Sequence, residues 1–248
     1  MDVDGFLHTY GDLVATSEGE EPFTVMQMMC PGLSSAKLGK LLGKAVNYCQ
    51  DGEVYCEIGT YAGYTLIAAS YHNYAIPCIG IDNFQGLGAV TTDTEKKRVD
   101  ARLKANLGHF NFGNQQIIDS DYKKIEGFKE KKIGVFFIDG YHNQEEAYNG
   151  LKWGHDKLAD DALVFIDDIT CWGVADGIND WMAEHKDEYF EFFRMNNYYP
   201  KEIPINNQCG HSFWHGLSIL KFKRKQPSKP VEKIESKGEA DDENGLVL

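Results

Sequence analysis

Short apolar runs alternate with longer segments of helical periodicity along residues 54–185. The apolar runs predict five strands, at residues 54–58, 78–81, 116–118, 133–138 and 162–166. The segments between these runs predict helices at residues 64–73, 94–107, 122–128, 144–157 and 174–185. Two more strands, at residues 189–195 and 217–222, follow without a helix between them. This alternation is typical of an α/β fold with a mostly parallel sheet.

The segments on either side of this alternation differ from it in composition. Residues 1–24 are acidic and contain several glycines, which predicts a loose N-terminal arm with one short helix near residues 6–16. A run of helical spacing predicts another helix over residues 36–49. Residues 224–248 combine prolines, many charges and no periodicity, which indicates a disordered tail. We therefore expect one domain over residues 25–223.

The overall charge and the cysteines restrict the class of protein. The 248 residues carry a formal net charge of −13, which disfavours a nucleic-acid partner because phosphate contacts dominate that binding; a small-molecule substrate fits better. No apolar run reaches the roughly 18 residues of a membrane span, and the acidic N-terminus is unlike a signal peptide. The six cysteines form neither a CxxC pair nor a metal-ligand spacing, so we expect reduced thiols in a cytoplasmic enzyme. A homo-oligomer is compatible with the sequence.

The glycine-bearing turn after the first strand carries the first chemical signal. Residues 57–63 read EIGTYAG, so an acid ends the strand and two glycines precede a helix. Glycines let the backbone approach a ligand, and the helix start offers unpaired N–H groups. The turn resembles motif I of the class I S-adenosylmethionine-dependent methyltransferases. It is not the dinucleotide fingerprint G-x-G-x-x-G, because Tyr61 and Tyr64 stand where that motif has glycine. An ordinary α/β turn is the alternative.

Acidic residues follow or end every predicted strand of the alternating region. They are Glu57, Asp82, Asp119, Asp139 and the pair Asp167 and Asp168. Parallel strands end at one edge of the sheet, so we expect these carboxylates to share one crevice, where such sheets bind their ligands. Crowded carboxylates are unfavourable unless cations or ligand donors neutralise them. The sequence therefore predicts a site at this edge.

Asp82 ends the second strand, the usual place for a carboxylate that accepts hydrogen bonds from ribose hydroxyls. An Asx-turn or a helix cap is the alternative. Residues 82–87, DNFQGL, are similar to the DSFEGLP-like segment of the macrocin O-methyltransferase-like group, methyltransferase family 24. Asn83 replaces the serine of that segment, and Gly88 stands where proline is common. The resemblance implies that Asp119 and Ser120 contact the adenine ring.

A second group of acids points to a metal ion. The strands before Asp139 and Asp167 are expected neighbours, so the carboxylates of Asp139, Asp167 and Asp168 can meet one cation. Mg²⁺ prefers oxygen ligands and keeps several waters. The FIDG and FIDD strand ends resemble the FIDGDHSYE…IDD pattern of the same group, which implies that the three aspartates are metal ligands. The alternative is that Asp168 caps the next helix and Asp139 takes the amino group of the cofactor.

His142 follows Asp139 by three residues, just past the strand end. A neutral imidazole accepts protons near pH 7, so His142 is a candidate general base. It could equally orient the cofactor or a metal-bound water, or be an ordinary loop histidine. Trp172, just after the aspartate pair, either stacks on a substrate or packs at the rim.

The resemblance covers residues 25–222 and implies a Rossmann-like three-layer α/β/α sandwich with a seven-stranded, mostly parallel sheet and one antiparallel strand. It implies an S-adenosylmethionine-dependent, Mg²⁺-dependent O-methyltransferase that acts on a hydroxyl of a sugar, polyol or catechol-like molecule. The catalytic residues would be His142 and Asp139. The cofactor-binding residues would be Glu57, Gly59, Thr60, Tyr61, Gly63, Asp82, Asn83, Asp119, Ser120 and Asp139. The alternatives are a non-catalytic cofactor-binding protein, a hydroxylase-like relative and an NAD-dependent oxidoreductase.

Overall fold

The computed structural model describes residues 1–16, 21–30, 33–85, 92–126, 128, 132–196, 213 and 215–225. The strands are β1 (Glu53–Ile58), β2 (Cys78–Asp82), β3 (Gln115–Asp119), β4 (Lys132–Ile138), β5 (Leu158–Asp167), β6 (Tyr189–Met195) and β7 (Leu217–Lys223). The α-helices are α1 (Val3–Thr16), α2 (Glu21–Met29), α3 (Ala36–Val46), α4 (Tyr64–Ser70), α5 (Asp93–His109), α6 (Gln144–His155) and α7 (Val174–Glu184). A 3₁₀ turn spans Tyr122–Lys124.

The seven strands form one sheet in the order β3-β2-β1-β4-β5-β7-β6. Strands β1 to β5 pair in parallel, whereas β7 is antiparallel to both of its neighbours, β5 and β6. The predicted mostly parallel sheet with one antiparallel strand is therefore confirmed. The strand order reverses between β1 and β4, and such a reversal opens a crevice at the carboxyl ends of the strands.

Alternate side chains of the sheet enter two separate apolar cores. On one face Val54 of β1 packs in a cluster with Leu151 of α6 and Ile178 of α7. On the other face Tyr55, the next residue of β1, packs in a cluster with Leu41 of α3. Since successive side chains of a strand point to opposite faces, one short apolar run supplies both cores. The helices therefore cover both faces of the sheet, as the three-layer prediction requires.

The N-terminal segment is more ordered than its composition predicts. Helix α1 begins before the predicted position, and its Phe6 is fully buried in the cluster that contains α3. Helix α2 was not predicted, although Phe23, Met26 and Cys30 recur at helical spacing and pack against α4. This helix has only nine residues and has a proline at its second position, so its periodic pattern in the sequence is weak. The boundary that we expected at residue 24 falls inside α2.

Several helices are shorter than predicted, among them α3, which ends at Val46 rather than at residue 49. The predicted helix over residues 122–128 is only the 3₁₀ turn. Helix α4 ends at Ser70 rather than near residue 73. The side-chain amide of Asn73 donates to the carbonyl of Ala69 at 2.7 Å, which satisfies one of the unpaired carbonyls at the end of this helix.

The described part of the chain also bears on the expectations about a membrane span, the cysteines and the tail. None of its helices combines the length and apolar character needed to cross a membrane. Its cysteines are all free thiols, namely Cys30, Cys49, Cys56, Cys78 and Cys171. Arg224, the first residue of the predicted tail, donates to the carbonyl oxygens of His155 and Leu158. Cys209, Gly88 and residues 226–248 lie outside the described residues.

Candidate active site

The turn between β1 and α4 needs glycine at two positions. Gly59 has φ +93°, and a Cβ atom there would lie 1.8 Å from the carbonyl oxygen of Asp139. Gly63 has φ +86° and is the N-cap of α4, where a Cβ would lie 2.7 Å from Leu103. Tyr61, between them, also has a positive φ of 45°. The turn therefore lies against the end of β4 and leaves the start of α4 clear of a capping side chain.

Glu57 lies beneath this turn and not in the crevice. Its side chain is fully buried, and its Oε2 accepts a hydrogen bond from the Tyr55 hydroxyl at 2.6 Å. Burial raises the pKa of Glu57 to about 8, although nearby hydroxyls of Tyr55, Thr65 and Thr60 lower it in part. Among the described residues, neither the Oε1 atom of Glu57 nor the hydroxyl of Thr60 has a hydrogen-bond partner of good geometry. The expectation that Glu57 points into the crevice is wrong, because Ile58 still continues the strand.

Asp82 connects the end of β2 to the glycine turn. Its Oδ2 accepts the backbone N–H of Tyr61 at 2.7 Å, and its Oδ1 accepts the N–H of Phe84 at 2.6 Å. The second bond is the Asx-turn contact that was the alternative reading of this residue. Burial raises the pKa of Asp82, while the two N–H donors oppose that rise. Each carboxylate oxygen still has lone-pair capacity for a further donor.

The remaining predicted cofactor residues lie at the same edge of the sheet. Asp119 is paired in register with Asp82 at the ends of β3 and β2, and the N–H of Ser120 donates to the Asp82 carbonyl at 3.0 Å. The Asp119 carboxylate is exposed and lies 3.4 Å from the Lys96 amine. Asn83 accepts the N–H of the residue two positions on. The structure therefore brings these polar groups together beside the glycine turn.

Asp139, Asp167 and Asp168 gather around His142 at the ends of β4 and β5. The two strands are neighbours, with Ile138 paired to the residue before Asp167. His142 Nε2 lies 3.2 Å from Asp139 Oδ1 and 3.0 Å from Asp168 Oδ2. The backbone N–H of Asp168 donates to Asp167 Oδ1 at 3.0 Å. The imidazole therefore sits between two of the three carboxylates.

The aspartates and His142 shift one another's pKa values. Burial raises the pKa of Asp139 and of Asp167, and the neighbouring carboxylates raise both further. Burial alone lowers the pKa of His142, but the hydrogen bonds and charges of Asp139 and Asp168 outweigh it and raise this pKa to about 10. The two carboxylates therefore favour the protonated imidazole, and a protonated His142 can accept a proton only after it has released its own.

The donor set suits a divalent ion only in part. Asp139 and Asp168 direct carboxylate oxygens at one point, which is the position of His142 Nε2. Among the described residues, the ligating atoms of His142, Asp168 and Cys171 lie within 4.8 Å of one another, whereas the three aspartates do not form such a group. Burial raises the pKa of the Cys171 thiol to about 11, and a protonated thiol is a poor ligand. The aspartates fit Mg²⁺ better by chemistry, provided that the imidazole moves.

Two features of the site were missed or left open by the sequence. Cys171 was not singled out, although it follows the aspartate pair by three residues. Trp172 is 80% exposed at this edge with φ +22°, and Tyr141 is also exposed, so neither ring belongs to the core. A cavity of about 20 Å³, the size of one water molecule, lies between His142 and Asp167.

Comparisons with known proteins agree with this fold. A family described as "Methyltransferase domain" matches residues 56–169. The fold is similar to that of cofactor-bound Rv0187 from MTB, with a TM-score of 0.59 and 14% identity over 90% of this chain and 97% of that chain. It is also similar to the O-methyltransferase TomG from Streptomyces achromogenes, solved with S-adenosylmethionine (TM-score 0.55, 12% identity, 90% of this chain and 100% of that one).

A third similar structure is an O-methyltransferase from Bacillus cereus in complex with S-adenosylhomocysteine. Its TM-score is 0.50 at 13% identity, over 89% of this chain and 90% of that chain. At such identities the likeness shows a shared fold. No curated protein matches the chain in sequence.

Proposed function

We propose that this chain, whose residues 56–169 match a methyltransferase-domain family, is a class I S-adenosylmethionine-dependent methyltransferase that methylates a hydroxyl group with the help of Mg²⁺. The proposed acceptor is a small sugar, polyol or catechol-like molecule, each of which presents paired oxygens. The observation that carries the proposal is the meeting of Asp139, Asp168 and His142 at the edge of the sheet that also holds the glycine turn.

The proposed cofactor site lies over the ends of β1 and β2. S-adenosylmethionine supplies a methyl group on a positively charged sulfur. Gly59 and Gly63 give the turn its positive φ angles and let it pack closely against Asp139 and Leu103. The free lone pairs of Asp82 accept hydrogen bonds from the ribose hydroxyls. Asp119 and Ser120 lie on the adenine side, next to β3. Glu57 supports the turn only from beneath, where it is buried and paired with the Tyr55 hydroxyl.

The proposed acceptor site lies over the ends of β4 and β5. Asp139, Asp167 and Asp168 would hold the Mg²⁺ ion, and the ion would supply positive charge that lowers the pKa of a nearby hydroxyl. His142 balances the carboxylate charge in the present arrangement, and it becomes a base once its proton has left. The exposed rings of Tyr141 and Trp172 offer flat apolar surfaces to a planar acceptor.

The first experiment measures S-adenosylhomocysteine formed by the purified protein with panels of catechols, polyols and sugars. We expect product with one panel, loss of that product in EDTA and recovery with added Mg²⁺. Asp168→Asn should abolish the Mg²⁺ response, whereas Asp51→Asn, at an exposed loop before β1, should leave it unchanged.

Each other outcome contradicts a different part of the proposal. Turnover that ignores EDTA would contradict the metal requirement and leave His142 as the base. Cofactor binding without product from any hydroxyl compound would indicate the non-catalytic binding protein. Binding of NADH in place of S-adenosylmethionine would overturn the assignment of the cofactor.

A further inference from the structure

A second cluster of ligand-type side chains lies at the far ends of the two helices that cover one face of the sheet. His155 is the last residue of α6, His185 is the C-cap of α7, and Glu188 directly precedes β6. His155 Nε2 lies 3.8 Å from Glu188 Oε2, and His185 Nδ1 lies 3.9 Å from the same oxygen. All three ligating atoms lie within 4.8 Å of one another.

This cluster is separate from the methyl-transfer site. Helix α6 begins at Gln144, two residues after His142, and ends eleven residues later at His155. At 1.5 Å per residue, the helix separates the two sites by about 16 Å. No residue of the proposed acceptor site belongs to the cluster.

The separations within the cluster are those of an ion site rather than of hydrogen bonds. At 3.8 and 3.9 Å, the two nitrogens are too far from Glu188 Oε2 to donate a proton to it. Ligands of a tetrahedral Zn²⁺ ion, at bonds of about 2.0–2.1 Å, lie about 3.3 Å apart. Small rotations of the three side chains therefore bring their ligating atoms onto a single ion.

Neighbouring side chains orient the imidazole rings of His155 and His185. His155 Nδ1 is 3.1 Å from the Tyr189 hydroxyl, which occupies that nitrogen and leaves Nε2 toward Glu188. The ring of His185 stacks on Trp181 with 3.8 Å between centroids. Partners of this kind orient histidine ligands in metal sites. The three side chains are 17–25% exposed, so an ion can reach them from solvent.

The charges that face the cluster leave room for a cation. Arg224 is a cationic group beside the cluster, and its guanidinium lies 3.3 Å from the Asp160 carboxylate and donates to the carbonyl of His155. The Lys225 amine is paired with Asp187 at 3.0 Å, while the Lys225 backbone N–H uses only Oε1 of Glu188. Oε2 of Glu188 therefore stays directed at the two imidazoles.

We propose that His155, His185 and Glu188 bind a Zn²⁺ ion, with a fourth position open to water, and that the ion joins the ends of α6 and α7 to β6. Two imidazole nitrogens and one carboxylate oxygen form one of the usual three-ligand protein sets for zinc. The ion would act as a clip outside the catalytic centre.

The test uses the full chain, stripped of metal and titrated with Co²⁺ as an optical probe and then with Zn²⁺ in competition. The Asp139→Asn/Asp168→Asn double variant serves as background, so that the strand-end acids cannot supply the signal. We expect one equivalent of Co²⁺ with the strong visible absorption of a four- or five-coordinate ion, displaced by one equivalent of Zn²⁺. Zn²⁺ should also raise the thermal midpoint.

Variants decide whether the cluster is the site. Glu188→Gln keeps the shape of the side chain, and His185→Ala removes one imidazole; each should weaken Zn²⁺ binding at least about tenfold. His109→Ala, an exposed histidine at the end of α5, should leave the affinity unchanged. Absence of Co²⁺ binding, or equal affinity in Glu188→Gln and the background protein, would overturn the proposal. If His185→Ala does not fold, the Glu188→Gln titration still decides.

Discussion

The α-carbon of Gly59 lies directly against the backbone carbonyl of Asp139, so that a methyl group on Gly59 would come within 1.8 Å of that oxygen. This contact joins the glycine turn after β1 to the end of β4. It places the proposed cofactor site and the proposed acceptor site side by side. Because the neighbour is backbone and not a flexible side chain, nothing nearby can move aside cheaply.

We predict that Gly59→Ala lowers the free energy of unfolding by at least about 2 kcal/mol, since it adds this clash to the strain of a positive φ. The matched control is Gly52→Ala: Gly52 has φ +82° but nothing within 4 Å of its Cβ position. In the control, the free energy of unfolding should fall by only about 1 kcal/mol, which is the cost of placing an alanine in the left-handed region. Urea unfolding of both variants measures the difference, and equal losses would show that the contact with Asp139 is unimportant.

The positions of the strand-end acids could be predicted because parallel strands end together. Asp82 and Asp119 lie in register, and Asp139 directly follows β4 while Asp167 ends the neighbouring strand β5, as the alternation of elements required. Glu57 shows the limit of that rule. The strand continues for one more residue, and the two-residue period turns Glu57 to the Tyr55 face, beneath the turn. When a strand ends one residue later than expected, an acid that was predicted to face the crevice is instead buried against the sheet.

Contacts between loops were beyond prediction for a different reason. The position of His142 between Asp139 and Asp168 depends on how two loops meet after folding, and no local pattern records that. The zinc-type cluster at His155 and His185 likewise joins residues that are 30 positions apart. Periodicity identifies elements, whereas such sites depend on distances between elements.

Asp82 supports a second prediction, about affinity for the cofactor. Asp82→Ala removes the acceptor of the Tyr61 and Phe84 N–H groups and the proposed partner of the ribose, so we expect the Kd for S-adenosylmethionine to rise at least about tenfold. Turnover at saturating cofactor should fall much less. Asp2→Ala is the control, because it also removes a carboxylate that accepts a backbone N–H, at 2.9 Å, but at the start of α1. Calorimetry of both variants tests this, and unchanged binding by Asp82→Ala would disprove the ribose assignment.

Trp172 supports a third prediction, about the acceptor. The side chain is 80% exposed, so Trp172→Ala should leave the free energy of unfolding within about 0.5 kcal/mol of its original value. If the ring stacks on the acceptor, KM for that acceptor should rise several-fold, which corresponds to about 1 kcal/mol of lost contact. Phe190→Ala removes another exposed aromatic ring, on β6, and should change neither quantity. Similar KM values in both variants would place Trp172 outside the acceptor site.

The buried carboxyl of Glu57 gives the fourth prediction, which concerns pH. Burial raises its pKa from the ordinary 4.5 to about 8 in the folded protein. Between these two values the unfolded chain has released the proton while the folded chain keeps it. Stability is therefore highest below pH 4.5 as far as this group is concerned, and it is lost as the pH rises toward 8.

Glu57→Gln isolates this contribution, because glutamine has the same shape and does not titrate. The free energy of unfolding of the original protein, minus that of Glu57→Gln, should fall by at most about 1.4 kcal/mol per pH unit between pH 5 and 8. Subtraction is necessary because Asp139 and Asp167 contribute a slope of the same sign, and His142 contributes a further loss of stability from about pH 6.5 up to pH 10. Glu145→Gln, at an exposed position of α6, should show no such trend. Urea midpoints at each pH unit give the comparison, and a difference that stays constant across this range would mean that Glu57 is already charged in the folded protein.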